Sequence, residues 1–202
     1  RRLYNEIDAL FRTSPIALKK PTPVEEADTI IDIFDSTLFH TIPQVYRRFD
    51  DWLLGDKAGL TEPVCPAFFH PGSWIGSDRD GNPNVTAKVS RQVARNFSDH
   101  VIAALEEATR TVGKNLTMDS EATPASEELK LLWGRQKEMS ERLTDNADQL
   151  SVKEPHRAVM LVMADRLHYT IARDTDLMYH SCEDFLADLK IVQRSLAASD
   201  PR

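Results

Sequence analysis

Cysteine is scarce in this 202-residue chain: Cys65 and Cys182 are the only two, and they lie far apart. Neither belongs to a paired-cysteine spacing, which excludes zinc-finger and dithiol redox motifs and leaves two reduced thiols, as in a cytosolic protein, as the expectation. Long apolar runs are missing as well. The longest, Ala158 to Ala164, falls far short of the ~20 residues needed to span a bilayer, so no membrane partner is expected. Nor is there a basic excess. With 25 Lys and Arg against 32 Asp and Glu the net charge is −7, the wrong balance for neutralising a phosphate backbone, and no nucleic-acid partner is expected. Local basic pairs such as Arg47-Arg48 are candidate anion contacts. No HExxH, Walker loop, GxSxG or internal repeat occurs. Glycine too is sparse, seven in all, yet Gly72, Gly76 and Gly81 fall within one short stretch.

What is present is helical periodicity. Leu3, Ile7, Leu10 and Phe11 form a stripe that begins at once after Arg1, which suggests a piece of a longer chain without a leader. A proline-rich connector with Pro15, Pro21 and Pro23 leads to Thr22 as N-cap, Pro23 at the first helical position and Glu25 three after the cap. Val24, Ala27, Ile31, Phe34 and Leu38 then recur at helical spacing, continued by Ile42, Val45, Phe49 and Leu53, with Pro43 expected to kink or split the helix. Gly55 and Gly59 close it, and the short apolar segment Ala67 to Phe69 is readable as a buried strand, although periodicity does not decide so short a run.

Further on, Val89, Val93, Phe97, Val101 and Leu105 line a helix that Gly113 is expected to end. Thr123-Pro124 is read as the start of another helix with Leu129, Leu132, Met139 and Leu143 inward. Glu154-Pro155 opens a helix whose run AVMLVMA is apolar on all sides and therefore deeply buried. The repeat Cys182, Phe185, Leu189, Val192 and Leu196 predicts a last helix with Cys182 as a core thiol. The expected fold is mainly α, a multi-helix segment with at most one or two short strands. It divides into a helix plus connector (1–22), helices leading to the glycine-bearing stretch (23–71), that stretch (72–86) and a helical bundle (87–202).

The stretch itself, GSWIGSDRDGNPNVT, concentrates special-conformation residues beside Trp74 and the charges Asp78, Arg79 and Asp80. A calcium loop on Asp78, Asp80 and Asn82 is excluded, because the sixth and twelfth positions are Pro83 and Val89 instead of glycine and glutamate. Two readings stay open. If residues 77–80 are extended, the two aspartates flank an outward Arg79 whose planar fork suits a carboxylate or phosphate; alternatively an aspartate pairs with a local arginine and the segment is only a turn. Asp165 and His168 at i, i+3 are read as a satisfied polar pair in preference to an acid–base dyad, and Arg166 as needing a tertiary carboxylate.

Ser73 to Thr86 closely resembles the SWMGGDRDGNPNVT signature of phosphoenolpyruvate carboxylases, differing only at Ile75 and Ser77. Lys20 to Ala27 is similar to the family's KPTPxDEA segment, the Phe34 to Asp50 helix with Arg47-Arg48 resembles the helix ahead of the signature, and Glu154-Pro155-His156-Arg157 is similar to EPYR. The resemblance implies an internal segment of a larger TIM-barrel-type α/β enzyme. That enzyme carboxylates phosphoenolpyruvate with bicarbonate, using Mg2+ or Mn2+, to give oxaloacetate and phosphate. It further implies a cytoplasmic, homo-oligomeric parent. By that resemblance Trp74, Gly76, Asp78, Arg79, Asp80 and Asn82 border the substrate pocket, Trp74 matching the tryptophan of an apolar pocket for carbon dioxide. The family's TAHPTE and FHGRGG segments do not occur here, so the resemblance assigns no catalytic residue and no metal ligand to these 202 residues and predicts that alone they are inactive. The paired arginines of the TDEIRR segment linked to a sugar-phosphate activator have no counterpart in Thr13 to Leu18. The alternative is a self-contained helical scaffold or regulatory module.

Overall fold

The structure, a computed structural model, describes residues 2–13, 20–144 and 147–199. The connector residues Ser14 to Leu18, with Pro15, lie outside the described residues. Among the described residues there are nine α-helices and no strand, so the chain is mainly α. It divides into two compact units, Arg1–Asn96 and Phe97–Arg202.

The first unit opens with α1 (Arg2–Arg12) and α2 (Pro23–Ile33). The expected capping box is formed: Thr22 Oγ1 accepts from Glu25 N (3.3 Å) while Glu25 Oε2 accepts from Thr22 N (2.7 Å). Such a cap is worth about 1 kcal/mol. Pro43 does not split the helix. A π-helical turn at Phe34–Leu38 joins α2 to α3 (Phe39–Leu54), and Pro43 sits inside α3. Proline lacks an N–H and crowds the carbonyl four residues back, here that of Phe39. That carbonyl lies at the junction with the π turn, where Phe39 N–H donates to Phe34 O.

Ala67 to Phe69 is an exposed extended segment and not a buried strand. Side chains of α3 hold it in place of a strand partner. Tyr46 Oη accepts from Phe68 N and Phe69 N (both 2.9 Å), and Asp50 Oδ1 accepts from Val64 N and Cys65 N (both 2.8 Å). The Phe68 ring packs between Tyr46 and Phe49, at centroid distances of 4.7 and 5.7 Å. Burial elsewhere in this unit is sparse, confined to Pro23, Ala27, Gly76, Val85 and Val93 among the described residues. The stripe of α1 is exposed along its length, as are Trp52 and Trp74.

α4 (Ala87–Asn115) carries Val93 in its first turns. Gly76 is pressed against that side chain: a Cβ built on it would lie 2.7 Å from Val93 Cγ2 and 2.9 Å from Val93 Cβ, and its φ is +71°. Farther along, Val101 and Leu105 are exposed, contrary to the every-fourth-residue stripe. A step of four residues advances about 40° beyond a full turn, so such a stripe drifts off the buried face within three steps. The covered positions become Ile102, Thr109 and Gly113. Gly113 does not end the helix, which runs to Asn115; it is buried where α4 meets a later helix, its notional Cβ 3.1 Å from Met160 Cβ.

The second unit continues with α5 (Glu127–Met139), α6 (Glu141–Thr144), α7 (Asp148–Lys153), α8 (Pro155–Ala172) and α9 (Cys182–Ser199). α5 starts three residues later than the threonine–proline pair suggests. Ser126 is its N-cap, accepting from Leu129 N (3.2 Å), and Met139 at its far end is exposed, Gln136 being buried in its stead. α8 is the axis of the unit. Val159, Met160, Met163 and Leu167 pack with Leu129 and Leu132 of α5 and with Tyr179, Phe185 and Val192, while Ala158 and Val162 pack with Leu143 and Ala147. Cys182, however, is exposed. The buried line of α9 runs through Phe185, Asp188, Val192 and Ser195, and Cys182 stands at the first helical position beside exposed His180 and Glu183. Periodicity marks a face but not how far its cover extends. Both cysteines are free thiols.

Arg166 finds the tertiary carboxylate that its burial demands. Its Nη1 donates to Asp188 Oδ2 (3.0 Å), its Nε to Leu177 O (3.3 Å), and its guanidinium carbon lies 3.7 Å from the Tyr179 ring centroid. Tyr179 Oη donates to the same Asp188 Oδ2 (3.0 Å). Burial pushes the Asp188 carboxyl above its usual range, against the opposing pull of the Tyr179 hydroxyl and Arg166. A second buried polar pair joins α8 to α9: Ser195 Oγ accepts from Ser126 N (3.0 Å) and lies 2.8 Å from His156 Nε2. Burial disfavours the charged form of His156.

This packing makes two effects measurable. In Gly76→Ala the left-handed backbone costs about 1–2 kcal/mol and the clash with Val93 about 1–3 kcal/mol; chemical denaturation should show that adding Val93→Ala, which removes both Cγ atoms but leaves the Cβ 2.9 Å away, recovers only part of the clash portion and none of the backbone portion. Burial lowers the His156 pKa below 6.5, so the unfolded chain takes up this proton before the folded one does. Its contribution is complete above pH 6.5 and declines as pH falls from there toward the depressed folded value. Urea midpoints measured between pH 7.5 and 5.5 should fall, and fall less steeply in His156→Tyr.

Candidate functional site

Residues 72–86 form two tight turns that deliver the chain to the start of α4. In the first, Trp74 O accepts from Ser77 N (3.1 Å), Asp78 N (3.0 Å) and Ser77 Oγ (3.1 Å), while Ser73 Oγ accepts from Ile75 N (3.1 Å). In the second, Asp80 (φ 25°) and Gly81 (φ 74°) both take positive φ, and Asn82 N donates to Arg79 O. Two successive residues of that conformation are what an Asp-Gly pair favours. Asn82 ties off the exit, its Oδ1 accepting from Asn84 N (3.0 Å) and its O from Val85 N (3.2 Å). Thr86 Oγ1 then accepts from Val89 N (3.3 Å), capping α4.

The extended reading of residues 77–80 is therefore corrected. Asp80 turns the chain, so the alternation that would set Asp78 and Asp80 on one side of Arg79 does not apply. Gly72 does not use positive φ, unlike Gly76 and Gly81. Trp74 is 76% exposed, Asp78, Arg79 and Asp80 are exposed, Asn82 is half-buried and Gly76 is buried. Among the described residues no ion pair holds Asp78, Arg79 or Asp80, so pairing with a local arginine is not realised. Six backbone N–H groups of the segment donate within it, and its charged side chains and indole are presented outward.

The other polar constellations are occupied structurally. Asp165 and His168 each turn to α4: Asp165 Oδ1 accepts from Arg110 Nη2 (2.8 Å), and His168 Nδ1 lies 3.4 Å from Glu106 Oε2. Arg110 also donates to Glu106 Oε1 (3.0 Å), which makes this a cross-helix ion network instead of an acid–base dyad. Among the described residues, no group of three or more His, Cys, Asp and Glu could hold a metal ion. Asp78 and Asp80 thus do not fit a resident metal unaided.

Sequence reasoning missed Val93 as the surface on which the first turn rests, and missed Ser77 as its third donor. It also missed Thr86 as the cap of α4, although a threonine three residues ahead of Val89, where the stripe begins, is the signal that marks it.

The family model for phosphoenolpyruvate carboxylase matches residues 1–202. The phosphoenolpyruvate carboxylase of Nostoc sp. is 31% identical over 210 residues, covering 96% of this chain and 20% of that protein. That of Azorhizobium caulinodans is 30% identical over 212 residues, covering 98% and 22%, and that of Synechococcus sp. 32% identical over 222 residues, covering 97% and 20%. The chain spans about a fifth of the length of these relatives. The match spans both units, the Gly72–Thr86 turns included, and by it the chain belongs to the phosphoenolpyruvate carboxylase family.

Proposed function

We propose that this chain supplies one wall of the active site of a phosphoenolpyruvate carboxylase, a carbon–carbon lyase that joins bicarbonate to phosphoenolpyruvate and releases oxaloacetate and phosphate. The observation that carries this reading is the pairing of two hydrogen-bonded turns with the outward side chains of Trp74, Asp78, Arg79 and Asp80, whose charges have no ion-pair partner among the described residues. Unpaired charges on a well-fixed turn are suited to a ligand, because little ordering cost remains to be met on binding. Trp74, Gly76, Asp78, Arg79, Asp80 and Asn82 border the pocket in this reading.

The overall reaction transfers the phosphoryl group of phosphoenolpyruvate to bicarbonate, leaving an enolate and carboxyphosphate; carbon dioxide released from the latter is then captured at the enolate carbon. The residues here act on that sequence by binding and exclusion. Arg79 presents five donors in a planar fork to a carboxylate or phosphate oxygen pair. Trp74 offers an apolar face to neutral carbon dioxide and keeps water from the enolate. Gly76, without a side chain, allows the turn to seat on α4. Mg2+ or Mn2+ would supply charge neutralisation in the whole enzyme, but the described residues contain no cluster to hold it, and no step is assigned to it here.

The proton-transferring, metal-binding and phosphate-gripping groups then belong to the remainder of a larger α/β barrel enzyme, cytoplasmic and homo-oligomeric, and these 202 residues alone are inactive. The exposed apolar stripe of α1 and the fivefold greater length of the relatives support that view. A second reading, a helical scaffold without catalysis, has in its favour the well-buried second unit around α8.

Kinetics separate the two. In the full-length protein that contains this chain, Arg79→Ala should lower kcat/KM by at least about tenfold, on the order of 1.4 kcal/mol in the barrier. Unchanged kinetics in a folded variant would give the turn to the scaffold reading, and turnover by the 202-residue chain alone would overturn its inactivity.

A further inference from the structure

The two serines that flank Trp74 hold opposite ends of one peptide group. The bond between Trp74 and Ile75 has its N–H donated to Ser73 Oγ (3.1 Å) and its carbonyl oxygen bonded by Ser77 Oγ (3.1 Å). Ser77 N (3.1 Å) and Asp78 N (3.0 Å) complete the set on that oxygen. A peptide plane tied at both ends resists the coupled rotation of ψ and φ that would swing the carbonyl away. The residue on one side of this plane is Trp74, and the chain it anchors on the other leads directly to Asp78, Arg79 and Asp80.

Ser77 is the informative member of the pair. It is one of the two positions at which the stretch departs from the SWMGGDRDGNPNVT pattern, where glycine stands. It takes no positive φ, so the backbone does not require glycine there, whereas Gly76 and Gly81 do. A serine in place of glycine both narrows the alternatives open to the loosened turn and adds the hydroxyl donor.

We propose that the Ser77 hydroxyl is a positioning residue: with Ser73 it clamps the Trp74–Ile75 peptide and so fixes how Trp74 and the Asp78–Asp80 charges are presented to substrate. The inference rests on the reading of this turn as a pocket wall. It touches no reacting atom, and its effect passes through Trp74 and the adjacent backbone. A neutral hydrogen bond at an exposed site contributes about 0.5–1.5 kcal/mol, so loss of the clamp corresponds to a change of about two- to twelvefold in the opening equilibrium.

The test uses the full-length protein with Ser77→Ala, Ser77→Gly and Ser77→Thr. Amide hydrogen exchange of the peptide containing Ser77 and Asp78 should quicken about two- to twelvefold in Ser77→Ala, at least as much in Ser77→Gly, and return to the wild-type rate in Ser77→Thr, which keeps the hydroxyl. Turnover of phosphoenolpyruvate with bicarbonate should show kcat/KM falling by a similar factor in the first two variants and restored in the third. Exchange unaltered in Ser77→Ala would overturn the clamp, whatever the kinetics. Faster exchange with wild-type kinetics in an active enzyme would overturn the positioning role and leave a purely structural bond. If the wild-type protein shows no turnover while exchange obeys the predicted order, the pocket reading fails and the positioning role falls with it, but the clamp itself stands.

Discussion

Everything that the signature turn can present depends on how close its backbone comes to α4. At Gly76 that approach leaves no room for a Cβ, since Val93 occupies the space, and the φ of +71° independently disfavours any side chain. Two unrelated demands thus fall on one residue, and either alone would select glycine. The consequence reaches well beyond the contact. With Gly76 seated, Trp74 O collects its three donors, the second turn closes through Asp80 and Gly81, and Thr86 caps α4, so a single close approach fixes both ends of the segment. Val93 is fit for the task because a β-branched side chain on a helix has essentially one rotamer and offers a firm surface.

The second unit is organised by the opposite means, density of packing around α8. That helix is apolar on nearly every side and is met by α5, α7 and α9, so its rare polar groups must be satisfied internally. Arg166 is the severe case. Its guanidinium is answered by a carboxylate, two backbone carbonyls and an aromatic face, and Asp188 is answered in turn by Tyr179. Such a network adds little net stability compared with an apolar replacement, but removing one member strands the others. The His156–Ser195 pair, near the other end of α8, is a second buried polar contact, and burial there disfavours the charged imidazole.

The sequence made the helices and the identity of the turn legible, and it did so unevenly for physical reasons. Capping chemistry is local, and so the Thr22, Pro23 and Glu25 start was readable directly. The all-round apolar run of α8 needed no partner to be recognised as core. Errors arose where a feature depends on what covers it. Cys182 lies on a helical stripe yet beyond its cover, Val101 and Leu105 belong to a repeat that drifts off the buried face, and Ala67 to Phe69 has strand-like residues but is held by Tyr46 and Asp50 from a helix. Pro43 does not split α3, and the π turn ahead of it went unread because no residue type announces a π turn. At the site, residue identities were readable from the signature, whereas the positive φ of Asp80 and the support from Val93 were not, because both depend on closure of the turn onto α4.

A division of labour within the turn explains why its sequence is so dense in unusual residues. Backbone groups of a loop normally need water or side chains to satisfy them, and an active site must exclude water. Here the hydrogen bonds that shape the main chain of residues 73–86 are made within the segment, by its own carbonyls and its serine and asparagine side chains. The indole of Trp74 and the charges of Asp78, Arg79 and Asp80 are then left over, uncommitted to the fold. Had Arg79 been needed to hold the turn closed, binding an anion would compete with folding; because glycines, Asn82 and the serines do that work, the guanidinium is free to meet a ligand at little structural cost. The small polar residues between the charged ones are therefore as much a part of the site as the side chains that would touch substrate.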